Sequence, residues 1–149
     1  MRYAQIRKFD ISNGEGIACS LFVQGCTHHC EGCFNKETWN FDGGKEFTQE
    51  VLDKFIDICN REHIKCVSIL GGEPLDQPEM LEVLKEIKSK VDKPIYLWTG
   101  YLIENIDKEL LKYIDVLIDG KFELDKRDLS LKLRGSSNQR VLRKGRDYA

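Results

Sequence analysis

Apolar positions in this chain fall into short runs and helical stripes that alternate along its length. Cys19 to Gln24 is a compact apolar run and predicts a buried strand. From Thr48 to about Asn60, the residues Val51, Leu52, Phe55, Ile56 and Cys59 recur at helical spacing, with Thr48 as N-cap. Cys66 to Leu70 predicts a second buried strand. Gln77 to Ser89 carries Met80, Leu81, Val83, Leu84 and Ile87 as a helical stripe, and Pro78 suits the first turn. Pro94 to Trp98 predicts a third strand, Ile106 to Tyr113 a short helix, and Asp115 to Ile118 a fourth strand.

Strand, loop and helix thus repeat about four times, the sign of a β/α fold with a parallel sheet. A complete eight-unit barrel needs roughly 200 residues or more. The 149 residues here are too few. The expectation is therefore α/β, an open partial (β/α) barrel whose parallel sheet carries roughly four to five βα units. A flavodoxin-like doubly wound sheet is the alternative. The segment 1–17, with Asn13-Gly14 and Gly16, reads as a loop with turns. Leu133 to Ala149, with Arg134, Arg140, Arg143, Lys144 and Arg146, reads as a solvated basic tail.

The length suits one domain over residues 1–149. Charged residues at 32% and hydrophobic residues at 41% are ordinary for a globular protein. A net charge of -2 gives no global field toward nucleic acid or membrane. Aromatic interleaving is absent from the basic tail except for Tyr148, so it gives only a weak signal for nucleic acid, and none is expected as a partner. No apolar run approaches the roughly 18 residues of a membrane span, and no apolar signal core follows Met1. A cytoplasmic protein with reduced thiols is expected.

Chemistry concentrates between Gly25 and Phe34, in the run Gly-Cys-Thr-His-His-Cys-Glu-Gly-Cys-Phe. Three of the six cysteines, Cys26, Cys30 and Cys33, are spaced C-x-x-x-C-x-x-C, so one loop can turn three thiolates toward a common point. Soft thiolates select zinc or an iron–sulfur cluster. Structural zinc closes its shell with four protein ligands, and cubane clusters are normally held by four cysteines. Three clustered cysteines leave a position open, unless His28 or His29 supplies a fourth zinc ligand. Cys19, Cys59 and Cys66 sit in apolar settings and read as packed thiols. Gly71-Gly72-Glu73 directly follows the second predicted strand. Glycines at a strand end leave backbone bare for a ligand, and a carboxylate there accepts from an ammonium. A tight turn with a solvated Glu is the plainer reading of the same residues.

These motifs resemble a known family. C-x-x-x-C-x-x-C is the signature of the radical S-adenosylmethionine enzymes. The flanks Asp10 to Gly16, Leu21 to Cys26, Cys33 to Trp39, Gly71 to Leu75, Trp98 to Tyr101, Asp119 to Lys121 and Arg134 to Arg140 are similar to the activating proteins of anaerobic (class III) ribonucleotide reductases. The resemblance covers nearly the whole chain, in order, and implies a partial barrel of the radical S-adenosylmethionine type. It implies a 4Fe–4S cluster on Cys26, Cys30 and Cys33, with S-adenosylmethionine as second cofactor. By the same resemblance, Gly32, Cys33, Phe34, Gly71, Gly72, Glu73, Thr99 and Asp119 contact the cofactor, with Glu73 accepting from its amino group. The implied activity is reductive cleavage of S-adenosylmethionine to place a glycyl radical on the reductase large subunit, with flavodoxin or a similar protein as electron donor. Activation of another glycyl-radical enzyme, of the pyruvate formate-lyase type, and a zinc-binding interaction module are the rival readings.

Overall fold

The computed structural model describes residues 1–149. A seven-stranded mixed sheet forms its centre. The strands are β1 (Arg2–Asp10), β2 (Ala18–Gln24), β3 (Lys45–Glu46), β4 (Cys66–Gly71), β5 (Ile95–Trp98), β6 (Val116–Asp119) and β7 (Arg140–Arg143). The helices are α1 (Gln49–Cys59), α2 (Met80–Lys90) and α3 (Lys108–Leu111). The order across the sheet is β3-β1-β2-β4-β5-β6-β7.

This architecture corrects the expected open partial (β/α) barrel. Parallel pairing is confined to β2–β4, β4–β5 and β5–β6. The pairs β1–β2, β1–β3 and β6–β7 are antiparallel. Three helices, one of only four residues, are too few for four to five βα units. Two misread segments explain the difference. The stretch before Ala18 bears turn residues, yet Arg2–Asp10 runs back along β2 as the long arm of a hairpin. The basic stretch after Leu133 contains β7, which returns along β6 instead of carrying a helix to another parallel strand. Both are edge or near-edge strands with charged, half-exposed residues, so neither shows the apolar run of a buried strand.

Inside the sheet the alternation of side chains sorts the core. Cys19, Leu21, Val23, Val67, Ile69, Ile95, Leu97 and Leu117 point to the helical face. They pack there against Leu52, Phe55, Ile56 and Cys59 of α1, Val83, Leu84 and Ile87 of α2, and Leu111 of α3. Thr48 caps α1, its hydroxyl accepting from Val51 N at 3.2 Å. Cys19 and Cys59 are fully buried in this layer, and the neighbouring Cys19 thiol, with burial, raises the Cys59 thiol far above the ordinary range. Ala18, Cys66, Tyr96, Val116 and Ile118 point the other way. No helix covers that second face: loops do, and the cavity lies there.

Tyr96 and Arg143 tie the glycine-bearing turn before β2 to this face. The Tyr96 hydroxyl donates to Glu15 Oε1 at 2.7 Å, and Arg143 Nη1 reaches the same oxygen at 2.7 Å. The Arg143 contact, then the Tyr96 hydroxyl, holds Glu15 below the usual carboxylate range. Burial and the Glu15 carboxylate push the Tyr96 phenol up to about 12.

Candidate functional site

At the carboxyl end of β2 the chain turns at Gly25, with φ +113°. Its N–H donates to Thr38 O at 2.7 Å, and its carbonyl accepts from Glu73 N at 2.8 Å. The next residue, Cys26, donates through its N–H to Trp39 O at 3.1 Å. The start of the cysteine loop is thereby pinned on both sides. At the carboxyl end of β4, a Cβ on Gly72 would stand 2.4 Å from the Gly25 carbonyl oxygen. The glycine requirement at Gly72 comes from chain packing on chain, as the end of β4 presses against the end of β2.

A cavity of about 650 Å³ opens at this end of the sheet. Cys26, Cys30 and Cys33 all line it, as do Phe34, Gly71, Gly72, Glu73 and Thr99. Phe22, Leu70, Trp98 and Leu133 supply apolar wall. Cys26 is buried, and Cys30 and Cys33 are half-buried. Burial raises both the Cys26 and the Cys30 thiols. Two residues of the expected set lie off the cavity wall. Gly32, with φ +75°, faces the 122–124 segment, and a Cβ there would meet Leu124 at 2.6 Å. Asp119 is fully buried and accepts from Ile103 N and Arg140 Nε, each at 2.9 Å, and from Arg140 Nη2. Asp119, and then Glu104, raise the Arg140 guanidinium further above its usual range.

Glu73 is 1% exposed and is the most heavily bonded side chain of the site. Leu75 N donates to Oε2 at 3.0 Å and the Thr99 hydroxyl to the same oxygen at 2.7 Å. Gly100 N donates to Oε1 at 2.7 Å, and His28 Nε2 stands 2.7 Å from Oε1. A second carboxylate, Asp76, holds the cysteine loop: its Oδ2 accepts from Thr27 N at 3.0 Å and the Thr27 hydroxyl at 2.8 Å. The Tyr101 hydroxyl donates to Asp76 Oδ1, which raises the phenol. The sequence reading did not single out His28 as a Glu73 partner, nor Asp76 and Tyr101. Their only signal is proximity in sequence to Cys26, Glu73 and Thr99.

The segment Arg134 to Arg140 closes one wall. Gln139 Oε1 accepts from Gly135 N at 2.9 Å and Ser136 N at 3.1 Å, while its Nε2 donates to Gly120 O at 2.9 Å. Asn138 Nδ2 donates to Lys121 O at 2.8 Å. These side chains fasten the stretch to the end of β6, and Arg134, Gly135 and Gln139 line the cavity.

The three cysteine sulfurs on the cavity match a cluster with one open position and fall one cysteine short of a closed four-sulfur shell. No three His, Cys, Asp or Glu side chains stand close enough together to hold one ion. His28 Nε2 bonds to Glu73, and His29 stacks on Trp39 at 4.5 Å between ring centroids. Cys19, Cys59 and Cys66 do not line the cavity, so it offers three sulfurs.

Comparison with known proteins points to an iron–sulfur cluster. The family model for a 4Fe-4S single cluster domain matches residues 12–142. The anaerobic ribonucleoside-triphosphate reductase-activating protein of Vibrio cholerae is 41% identical, covering 96% of this chain and 98% of that protein. The protein of that name from Escherichia coli K12 is also 41% identical, covering 95% and 97%. The one from Enterobacteria phage T4 is 40% identical, covering 95% and 93%. Identity at this level, sustained from end to end, shows that the chain belongs to the family of anaerobic ribonucleoside-triphosphate reductase-activating proteins.

Proposed function

We propose that this protein activates an anaerobic ribonucleoside-triphosphate reductase by placing a glycyl radical on its large subunit. The observation that carries the reading is the convergence of Cys26, Cys30 and Cys33 with Glu73 and Thr99 on one cavity. A bound 4Fe–4S cluster and S-adenosylmethionine would supply one-electron cleavage of the sulfonium carbon–sulfur bond, with a hydrogen atom then drawn from a glycine Cα of the reductase. The three cysteines hold the cluster and leave one position for the cofactor. Glu73 accepts from the cofactor's amino group, and Phe34 and Thr99 flank it. Phe22, Leu70, Trp98 and Leu133 give the cavity an apolar wall that, once its open side is covered, would keep water and stray hydrogen donors from an open-shell reaction. The partner's glycine loop completes the open side. Electrons come from flavodoxin or a similar donor, and the protein works in the cytoplasm. No helix is long and apolar enough to cross a membrane.

The test mixes the reduced, cluster-loaded protein with S-adenosylmethionine and the reductase under anaerobic conditions. Electron paramagnetic resonance should show a glycyl radical, with 5′-deoxyadenosine as co-product. A radical on pyruvate formate-lyase but not on the reductase would transfer the activity to the rival partner.

A further inference from the structure

Glu73 has no acceptor position to spare. A carboxylate offers about four lone-pair sites. Leu75 N, the Thr99 hydroxyl, Gly100 N and His28 Nε2 occupy them. Leu75 N and Gly100 N are backbone donors held by their own turns. The Thr99 hydroxyl is a buried side chain at the end of β5 that also accepts from Tyr101 N at 3.1 Å. His28 differs from these three, because it belongs to the cysteine loop and reaches across 45 residues of sequence. Its ring is 7% exposed and stands edge-on to Tyr101, with centroids 4.6 Å apart. It fills the space left by the missing side chain of Gly100, where a Cβ would come within 2.7 Å of two ring atoms.

We propose that His28 is an internal occupant of the amino-acceptor position on Glu73, so that a ligand's ammonium binds there only by displacing the imidazole. The proposal rests on the reading that Glu73 receives the cofactor's amino group. Of the four donors, the imidazole alone sits on a loop whose movement would vacate the site: the two backbone N–H groups are fixed by their turns, and the Thr99 oxygen stays beside Oε2 even if its hydroxyl rotates. Thr27 stays anchored to Asp76 as it goes, so the loop pivots next to Cys26. His28 is thus a specificity-determining residue. It screens out ligands that lack a donor strong enough to replace it, and it links cofactor binding to the seat of the thiolate loop.

The experiment measures S-adenosylmethionine binding to the cluster-loaded, unreduced protein by anaerobic equilibrium dialysis. His28→Phe keeps a ring against Tyr101 but has no donor, and His28→Asn is too short to reach Glu73. Both should bind about tenfold tighter than the parent, because a hydrogen bond to a charged group no longer has to be broken. His28→Gln, which keeps an N–H donor of similar reach, should stay near the parent value. Unchanged or weaker binding in both His28→Phe and His28→Asn overturns the proposal, and so does failure of both to load the cluster. Glu73→Gln separates this from the underlying reading. If Glu73→Gln made in the His28→Phe background, where no imidazole has to be displaced, leaves affinity unchanged, Glu73 is not the amino acceptor. If it weakens while the His28 variants do not tighten, only the displacement proposal fails.

Discussion

Glu73→Gln should loosen the fold as well as the cofactor site. The parent carboxylate accepts from two backbone N–H groups, one on each oxygen. A glutamine has one oxygen and one amide nitrogen, so one of those N–H groups must face a donor. With the amide oxygen toward Gly100 N, the amide nitrogen faces Leu75 N and the Thr99 hydroxyl. The hydroxyl can rotate to accept, but Leu75 N is left without a partner. A hydrogen bond to a charged group contributes about 1.5–3 kcal/mol, and at 1% exposure no water replaces it readily. The expected loss is therefore about 2–3 kcal/mol, or roughly 5–10 °C in Tm for a chain of this size. Urea denaturation of the metal-free, reduced protein should show a lower midpoint with an unchanged slope. A loss below about 0.5 kcal/mol, the scale of an ordinary surface change, would refute the bonding scheme around Glu73.

Alanine at Cys26, Cys30 or Cys33 should each abolish the intact cluster, seen as lost iron and visible absorbance. Alanine at Cys19, Cys59 or Cys66 should keep the iron and cost about 1–2 kcal/mol of packing. Arg140→Ala strands the buried Asp119 carboxylate and should destabilise by about 2–3 kcal/mol, discounted because the guanidinium is 42% exposed. Neither residue lines the cavity, so binding of S-adenosylmethionine at low temperature should be unchanged, and weakened binding would return Asp119 to the cofactor site. Tyr96 favours its neutral form in the fold, so its contribution to stability is full below about pH 10 and is lost as pH rises toward its folded value of about 12. Ultraviolet titration of the folded protein should show a late-ionising tyrosine that Tyr96→Phe removes.

Much of the site was legible because its residues lie in short, ordered motifs. Cys26, Cys30 and Cys33 occupy one loop, and Glu73 and Thr99 follow the apolar runs of β4 and β5. The buried strands β2, β4, β5 and β6 were legible for the same reason, as continuous apolar runs. What the sequence hid depends on pairing over long separations. β1 and β7 lie at or near the edges of the sheet, and their charged residues mask them. They turn an expected parallel barrel into a mixed sheet. Contacts such as His28 with Glu73, 45 residues apart, have no periodic signal at all. The Ser136 to Gln139 turn likewise makes sense only once Gly120 and Lys121 lie beside it.

The most direct test of the account is electron paramagnetic resonance on the reduced protein mixed anaerobically with S-adenosylmethionine and the reductase. The account predicts a glycyl-radical signal accompanied by 5′-deoxyadenosine. That signal should be absent when the target glycine of the reductase is replaced by alanine. A fully loaded, reducible cluster that yields neither radical nor 5′-deoxyadenosine would contradict it.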